Sequence, residues 1–467
     1  MGIFTIQRYT LHFICIFISC SLYAQTDFGS YRLDTFKLPD IHLTSLTVFG
    51  SVYGRHTDTD RPGGNFEIND QSWFSPNIDL SYNRYVNTPR LQSSSFLNLD
   101  QSFDIRRVEG ITGISKTTDL NTSISTSSSN RYYTGKRFFQ LSGSASFNYS
   151  YDRQEFTDSL ETDIDKDKSY SIRLEPVIGI GNGRLEPVSD VAMALFILQD
   201  AADLGVDLAA VTTEDIYAFA SLMAEVRNRR ILDFRRMRIA ELRDLYAHML
   251  TNGWVLPDDP GFFTVLTDNW TYTNVFFRQA GKRWTYSLSP RYFYLKNIFS
   301  PLSGSERQEI GAGITIDYQK HQPVNLYRDN RRSHTLSLNY GHAENGSLIY
   351  GPLGDYAQLK FDNSIGRSWY PNNRTNISGS INLGYRYYRF FEPRFFTPED
   401  QHVINAGAGL QAFYFLSYRT QLNLNALVQY GFSSGGALVE IINGFSATPE
   451  ITGFHATLNA RIVVALF

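Results

Sequence analysis

Hydrophobic and polar residues alternate with a period of two along most of this chain. From residue 419 to residue 431 the even positions are almost all apolar and the odd positions mostly polar, and the alternation returns between residues 454 and 466. Residues 139–151 carry Phe, Leu, Ala and Tyr at odd positions and mostly Ser at even ones. Successive side chains of a strand point to opposite faces, so each segment predicts a strand with one apolar and one hydrophilic face. A face of serine hydroxyls suits water rather than a dry core.

Counting every such segment predicts sixteen strands in one antiparallel, all-β arrangement. The first six lie at about 44–54, 72–84, 91–106, 112–128, 136–151 and 168–180. The other ten lie at about 262–279, 282–298, 307–320, 331–343, 356–369, 374–390, 403–416, 419–432, 436–445 and 454–467. The segment 436–445 has the weakest alternation. Fourteen strands is therefore the alternative count.

The period changes to 3.6 between residues 183 and 260, which indicates an α-helical insert between the sixth and seventh strands. Ser189 is expected to cap a first helix that ends near Gly205. Thr212 or Thr213 is expected to open a second helix, and a third is expected at about 233–251. The remaining sequence, 44–182 and 261–467, is then strand and turn.

The first 24 residues indicate the compartment. Arg8 precedes an apolar run, and Ala24 is a small residue at an expected cleavage point, so residues 1–24 predict a secretory signal peptide followed by a polar leader at 25–43. A lipoprotein signal ending at Cys20 fits less well. Both cysteines, Cys15 and Cys20, belong to this signal. The processed chain would therefore have no disulfide and no thiolate metal site.

Composition and charge narrow the partners. The chain has 34 Phe and 29 Tyr but a mean hydropathy of −0.27, and its 43 basic and 46 acidic residues give a net charge of −3. This balance argues against nucleic acid as a partner, because such a partner requires a basic face. Beyond the signal, the longest apolar run is at 191–198, too short for a transmembrane helix. Insertion in a membrane would require a closed β-barrel.

The lengths of the predicted connections suggest an orientation. Residues 55–71 and 152–167 are long and polar, whereas Val86–Arg90 is short. Outer-membrane barrels place long loops outside the cell and short turns in the periplasm. The helical insert at 183–260 should therefore lie on the periplasmic side, or fold into the lumen as a plug.

Together, the signal peptide ending at Ala24, the amphipathic strands at 403–467, aromatic pairs such as Trp369 and Tyr370, and the terminal Phe467 carry a resemblance. The chain resembles porin-like outer-membrane β-barrels of Gram-negative bacteria, and its Tyr- and Asn-rich strands are similar to Bacteroidetes envelope proteins. The resemblance implies location in the cell outer membrane, contact with its lipids, and recognition of the last strand by the barrel-assembly machinery. Phe467 departs from the usual register, because the apolar face runs through Leu466. The helical insert matches no barrel family by motif.

Charged residues on the hydrophilic faces are the first candidate chemistry. If Ile316, Leu383 and Leu424 face lipid, the alternating charges face the lumen. These predicted lumen charges are Arg173, Glu175, Asp317, Arg386, Arg419 and Arg461. They either tune the ion selectivity of an open channel or form a salt-bridged network that braces the lumen.

Arginines in the insert are the second candidate. Six occur within twelve residues: Arg227, Arg229, Arg230, Arg235, Arg236 and Arg238. They predict a docking patch for an anion, a periplasmic partner or the inner leaflet. Glu225, Asp233 and Glu241 are interleaved, so a salt-bridged helix face is the competing interpretation.

Signals for catalysis or metal binding are weak. Asp163, Asp165 and Asp167 alternate as in calcium loops, but Lys168 and Leu174 stand where an EF-hand needs Gly and Glu, which favours a solvated surface loop. His334 and His342 fall on the apolar face of one strand. No GxSxG or HExxH motif is present. We expect neither an enzyme, nor a cofactor, nor a metal site.

Two functions from different classes remain. The leading prediction is a pore or transport channel with a helical insert that plugs the lumen, gates it or docks a partner. The alternative is a structural anchor or docking subunit of an envelope secretion or polysaccharide-export system. An outer-membrane hydrolase is a distant third.

Overall fold

The computed structural model describes most of the chain after residue 30. The described residues are 31–38, 40–58, 68–110, 113–158, 161–206, 208, 211–227, 234–255, 260–271, 277–299, 303–345, 354–391, 400–417, 420–433 and 453–464. The expected signal peptide, the predicted strand at 436–445 and Phe467 lie outside them.

Fourteen described strands form one antiparallel sheet in which each strand pairs with its neighbours in chain order. They are β1 (Ile41–Asp58), β2 (Ile68–Asn87), β3 (Leu91–Gly110), β4 (Gly113–Thr134), β5 (Arg137–Thr157), β6 (Thr162–Pro187), β7 (Gln279–Phe299), β8 (Ser303–Asn325), β9 (Arg328–Asn345), β10 (Gly354–Asn372), β11 (Thr375–Phe390), β12 (Asp400–Ser417), β13 (Thr420–Ser433) and β14 (Gly453–Val464). The antiparallel, mostly β fold class is confirmed.

Two predicted strands account for the difference from sixteen. The predicted strand at 262–279 is wrong, because residues 260–271 form a helix and β7 begins only at Gln279. Its run of Phe, Val, Leu and Trp suits a buried helix as well as a strand, and short apolar runs do not separate the two. The other, at 436–445, is the one outside the described residues.

One face of the sheet is apolar and exposed. Five directly opposed residues on β5 to β9 form a continuous row on it, and each has about half of its surface exposed: Leu141 47%, Ile178 49%, Leu288 50%, Ile314 58% and Leu338 56%. The opposite face carries mainly Ser, Asn, Thr, Gln and charged side chains. The two-faced strands predicted from the alternation are therefore present across the sheet.

The strands run further than predicted at their polar ends. The expected surface loop at 152–167 is largely strand, because β5 continues to Thr157 and β6 starts at Thr162. Asp163, Asp165 and Asp167 lie at alternate positions of β6, so the solvated loop expected there is wrong. Where both faces become polar, the period of two disappears from the sequence although the backbone pairing continues.

The sheet is open between its first and last strands. In the described residues, β1 pairs only with β2 and β14 only with β13. The strand count is even, so β1 begins at the same end of the sheet at which β14 finishes. We call this the short-turn end, because the described connections of two or three residues, β2–β3, β4–β5, β8–β9 and β10–β11, lie there.

The described part of the connection from β6 to β7, at the short-turn end, contains four helices: α1 (Ser189–Asp203), α2 (Thr213–Arg227), α3 (Phe234–Thr251) and α4 (Pro260–Thr271). We call them the helical unit. The α2 start follows a reciprocal cap, in which Asp215 N donates to Thr212 Oγ1 and Thr212 N donates to Asp215 Oδ2. Ser189 does not cap α1 as predicted, because its hydroxyl accepts a hydrogen bond from Arg278 N at 2.9 Å.

The larger hydrophobic core lies in and under the helical unit, and a smaller buried cluster lies in the sheet, formed by Ala343, Tyr356, Tyr388 and Phe390. Leu195 and Leu198 of α1, Phe219 of α2, Leu245 of α3 and Phe262 of α4 are fully buried together. Full burial of such side chains contributes about 1.5–3 kcal/mol each. Within the described residues, no helix has the length and apolar character needed to cross a membrane.

Candidate functional site: the polar face and the helical unit

Side-chain hydrogen bonds cover the polar face of the sheet. Asn148 joins three strands, since its Oδ1 accepts from Ser123 Oγ at 2.9 Å and its Nδ2 donates to Ser171 Oγ at 3.2 Å. Asn339 Nδ2 donates to Gln358 Oε1 at 2.9 Å. Such short, uncharged polar side chains hold one another in place while leaving the face hydrophilic.

Side chains of like charge cluster at two places on the polar face. Four carboxylates lie directly opposite one another in neighbouring strands, far from the short-turn end: Asp104, Asp119, Asp152 and Asp167. Directly opposed like charges destabilise a sheet by a few tenths of a kcal/mol each or more. Arginines occupy the same face near the short-turn end, at Arg131, Arg283 and Arg331. Both ends of this face also carry the opposite charge, since Asp317 lies near the short-turn end and Arg307 near the other end.

The described members of the predicted lumen charges lie on the polar face. Arg173 stacks over the Phe293 ring at 5.3 Å, and Glu175 follows it at the next position on the same face. Asp317 accepts a hydrogen bond from Thr335 Oγ1 at 2.9 Å. Arg386 lies opposite Lys360, and Arg461 opposite Asn423.

The predicted lumen charge Arg419 lies outside the described residues. The six positions are spread from β6 to β14. The sheet does not gather them at one point.

A buried ion pair ties the start of β7 to the β8–β9 turn. The Arg278 guanidinium donates to both carboxylate oxygens of Asp329, at 2.6 and 3.0 Å, and to Leu326 O at 2.6 Å. The two side chains are 3% and 7% exposed, and the guanidinium lies 4.5 Å from the centre of the Tyr370 ring. Arg278 N also donates to Ser189 Oγ, so this residue fixes α1, β7 and the turn together.

Further contacts hold the helical unit to the sheet. Tyr327 OH in the β8–β9 turn donates to Gln199 Oε1 of α1 at 2.6 Å. Asn373 in the β10–β11 turn donates to Asn269 Oδ1 of α4. Asn269 Nδ2 in turn donates to Asp200 Oδ2 at 2.7 Å, and burial raises the pKa of Asp200.

The segment before β1 binds the helical unit from another side. Thr35 shares a hydrogen bond with Tyr217 of α2, and Phe36 packs against the same ring with centroids 5.5 Å apart. Leu33 and Phe36 are buried in the core of the helical unit. Contacts with the helical unit therefore extend from the start of β1 to the β10–β11 turn.

The ends of β6 and β7 bend across the short-turn end. Beyond Asn182, β6 no longer pairs with β5 but continues with β7 as far as Pro187. Arg184 there donates to Thr88 O at 2.9 Å and Pro89 O at 3.1 Å in the β2–β3 turn, three strands away. This hairpin carries the helical unit over the polar side of the sheet.

Glycines permit this bend. Gly183 has φ of +91°, and a Cβ there would collide with Lys282 O. A Cβ at Gly181 would collide with the Phe138 ring and with Trp284 O. Only glycine allows the backbones of β6 and β7 to approach this closely.

A cavity of about 700 Å³ separates the helical unit from the polar face. Its lining includes Arg131 of β4, Arg283 of β7, and Asp190 and Arg227 of the helical unit. Asp190 pairs with Arg227 at 2.6 Å. Burial raises the pKa of Asp190, and the Arg227 charge opposes that shift.

Few of the arginines in the predicted docking patch can be placed. Arg227 is held by Asp190 and points toward the cavity rather than away from the protein. Arg229 and Arg230 lie outside the described residues, and of Arg235, Arg236 and Arg238 only the helical backbone is described. The geometry of Arg227 therefore favours a structural ion pair at that position.

Three arginines at this end were missed by sequence reasoning. Arg131 and Arg283 each precede an aromatic residue on the apolar face, Tyr132 and Trp284. The alternation of side chains along the strand could therefore have placed both arginines on the polar face. Arg278 gave no such signal, because it lies in the linker between α4 and β7.

No protein-family model matches the chain, and no curated protein sequence does either. Among solved structures, a bacterial polysaccharide outer membrane secretin aligns with 86% of this chain and 96% of its own, with 8% identity and a TM-score of 0.23. The deltaS2 mutant of the TodX monoaromatic hydrocarbon channel aligns with 86% of this chain and 89% of its own, with 9% identity and a TM-score of 0.24. At this level of similarity, neither protein indicates what this chain binds or transports.

Proposed function

We propose that this chain is an outer-membrane β-barrel channel and that the helical unit covers its periplasmic mouth. The observation that carries the proposal is the two-faced sheet. A continuous exposed apolar face on one side, opposite a hydrogen-bonded polar face on the other, fits lipid outside and water inside.

The height of the apolar band supports membrane insertion. On β5 the outward positions are apolar from Phe139 to Tyr151, and the next ones are Arg153 and Glu155. At a rise of about 3.3 Å per residue this band is about 40 Å long, and a strand tilt of about 40° reduces its height to roughly 30 Å. The hydrocarbon core of a bilayer is also about 30 Å thick.

Closure through β1 and β14 completes the proposed barrel. With an even number of strands, β1 and β14 run in opposite directions, so they would pair antiparallel at the seam. Leu46 and Val48 of β1 and Leu458 and Ile462 of β14 already share the apolar face and are among the most exposed apolar side chains. Closure would give hydrogen-bond partners to the backbone N–H and C=O groups at the two open edges, which such groups need in a lipid environment.

The helical unit restricts the mouth in this proposal. Short turns of outer-membrane barrels lie in the periplasm, which places the helical unit there as well. It contacts two separate turns, β8–β9 and β10–β11, and the segment before β1, and Arg184 of β6 contacts a third turn, β2–β3; these contacts support a position across the opening.

Conductance of purified protein in planar bilayers tests this directly. Pro187 and Gln279 are paired, so residues 188–278 can be replaced by a two-residue Asn-Gly turn that closes the β6–β7 hairpin. We expect a larger single-channel conductance from the shortened protein than from the full chain. Equal conductance would show that the helical unit does not restrict the pore, and absence of conductance from both would refute the channel.

A docking subunit is the second candidate. The helical unit leaves Ile239 of α3 66% exposed and Phe263 of α4 45% exposed, which suits contact with a periplasmic protein. This function predicts no conductance from either protein. It also predicts a cross-linked envelope partner that is lost in Ile239→Asp and kept in the matched surface variant Arg243→Asp.

A further inference from the structure

The cavity between the helical unit and the polar face has an unusual charge balance. Among the described residues that line it, Asp190 is the single acid, and three are arginines: Arg131, Arg227 and Arg283. Asp190 is already paired with Arg227, and its side chain is only 3% exposed. Asp317 attracts the other two guanidinium groups from a distance, but it does not line the cavity and forms no ion pair with either of them.

Hydrogen bonding leaves these two guanidinium groups with donors to spare. In the described part of the chain, no carboxylate lies within 4.0 Å of Arg131 or Arg283. Arg283 Nη2 donates to Gln319 Oε1 at 2.7 Å, but the Nε of both arginines is buried without an acceptor. Buried donors without partners cost free energy, which a bound acceptor would recover.

We propose that this cavity binds an oxyanion, a carboxylate or phosphate group of a small solute, between Arg131 and Arg283. The planar guanidinium fork matches both groups, and two forks from different strands would hold one anion from two sides. The proposal deepens the channel function and rests on it for its biological role, because it names the class of solute that the channel would carry.

The remaining lining sets the size and character of that solute. A volume of about 700 Å³ lies within the range of pockets that hold small organic molecules. Ile41, Leu43 and Phe277 form an apolar wall, and Tyr85 and Ser129 add hydroxyl groups. A solute with a short carbon skeleton and one acidic group fits this mixture better than a bare inorganic ion.

Calorimetric titration of the full chain in detergent tests the proposal. The probes are inorganic phosphate and a short-chain monocarboxylate, butyrate, each at constant ionic strength. We expect both probes to bind. The double variant Arg131→Gln/Arg283→Gln should weaken binding about tenfold or more, because each substitution removes charged hydrogen-bond donors. The matched control is Arg331→Gln, which removes an arginine of the same face and end that donates to Ser368 outside this cavity.

Each outcome bears on the proposal. Unchanged affinity in the double variant, or equal loss in Arg331→Gln, would overturn it, as would the absence of binding by the unmodified protein. Arg131→Lys/Arg283→Lys guards against misfolding, since it keeps the charge and is expected to retain part of the affinity. Binding in detergent requires no conduction, so binding without conductance would refute the channel alone, and conductance without binding would refute the oxyanion site alone.

Discussion

Arg278 offers the sharpest test of how the helical unit is held. Arg278→Met keeps the length of the side chain but leaves the buried Asp329 carboxylate, and the Leu326 carbonyl, without their donor. Breaking a buried ion pair by removing one partner typically costs about 3–5 kcal/mol. At 1.4 kcal/mol per factor of ten, the open population of the helical unit should rise by roughly 10²- to 10³·⁵-fold.

Hydrogen exchange of peptides from α1 to α4, followed by mass spectrometry, measures that population. Arg278→Met/Asp329→Leu should recover much of the protection, since it removes the unpaired carboxylate as well. The control is Arg107→Met, which breaks the half-exposed pair with Glu109 and should change stability by about 1 kcal/mol or less. If exchange in α1 to α4 is unchanged in Arg278→Met, the ion pair does not hold the helical unit in place.

Three further predictions follow from the sheet and the helices. Closure through β1 and β14 predicts that Thr47→Cys forms a disulfide with a cysteine at 457, 459 or 461, seen as a gel shift, and not with Asn339→Cys in mid-sheet. If none of the three pairs cross-links, the seam is not there. Burial lowers the pKa of His248, so its neutral form stabilises the fold above the ordinary histidine pKa of about 6.5, and that contribution is lost as the pH falls. Protection factors in α3, which are corrected for the intrinsic exchange rate at each pH, should therefore fall between pH 7 and 5. His248→Phe, which keeps the stack on Phe219, should remove that pH dependence; an identical pH response would contradict it. Finally, Gly181→Ala should lower urea stability by about 1–3 kcal/mol through its collision with Phe138, while Gly50→Ala, with its nearest neighbour at 3.9 Å, should not; equal effects would refute the close approach.

Much of the sheet could be predicted because each strand carries its own signal. Where one face is apolar, as from Phe139 to Tyr151, the period of two fixes both the strand and its faces. The signal disappears where both faces are polar, as at Asp163. The predicted strands β5 and β6 are therefore shorter there than the observed ones. The short apolar run at 262–271 forms a helix, although a strand was predicted there. The prediction was wrong because the length and periodicity of so short a run do not separate a strand from a helix.

The arrangement at the short-turn end was beyond sequence reasoning for a different reason. The alternation of side chains along a strand places Arg131 and Arg283 on the polar face. It does not reveal that they lie near Asp190, which belongs to a helix about sixty residues after Arg131. The cavity depends on how far the β6–β7 hairpin bends, and that bend is set by Gly181 and Gly183 through contacts with other strands. Such long-range contacts have no local periodicity to reveal them.

Burial of the helical unit depends on strands that come after it in the chain. The chain supplies β1 to β6 and the helical unit before β8 to β11, yet the buried partners of the helices, Leu326 and Tyr370, belong to the later half. Until those turns arrive, the helices have an unfilled apolar surface that a chaperone could recognise. Complete burial of the helices therefore requires that β8 to β11 have already been added to the sheet.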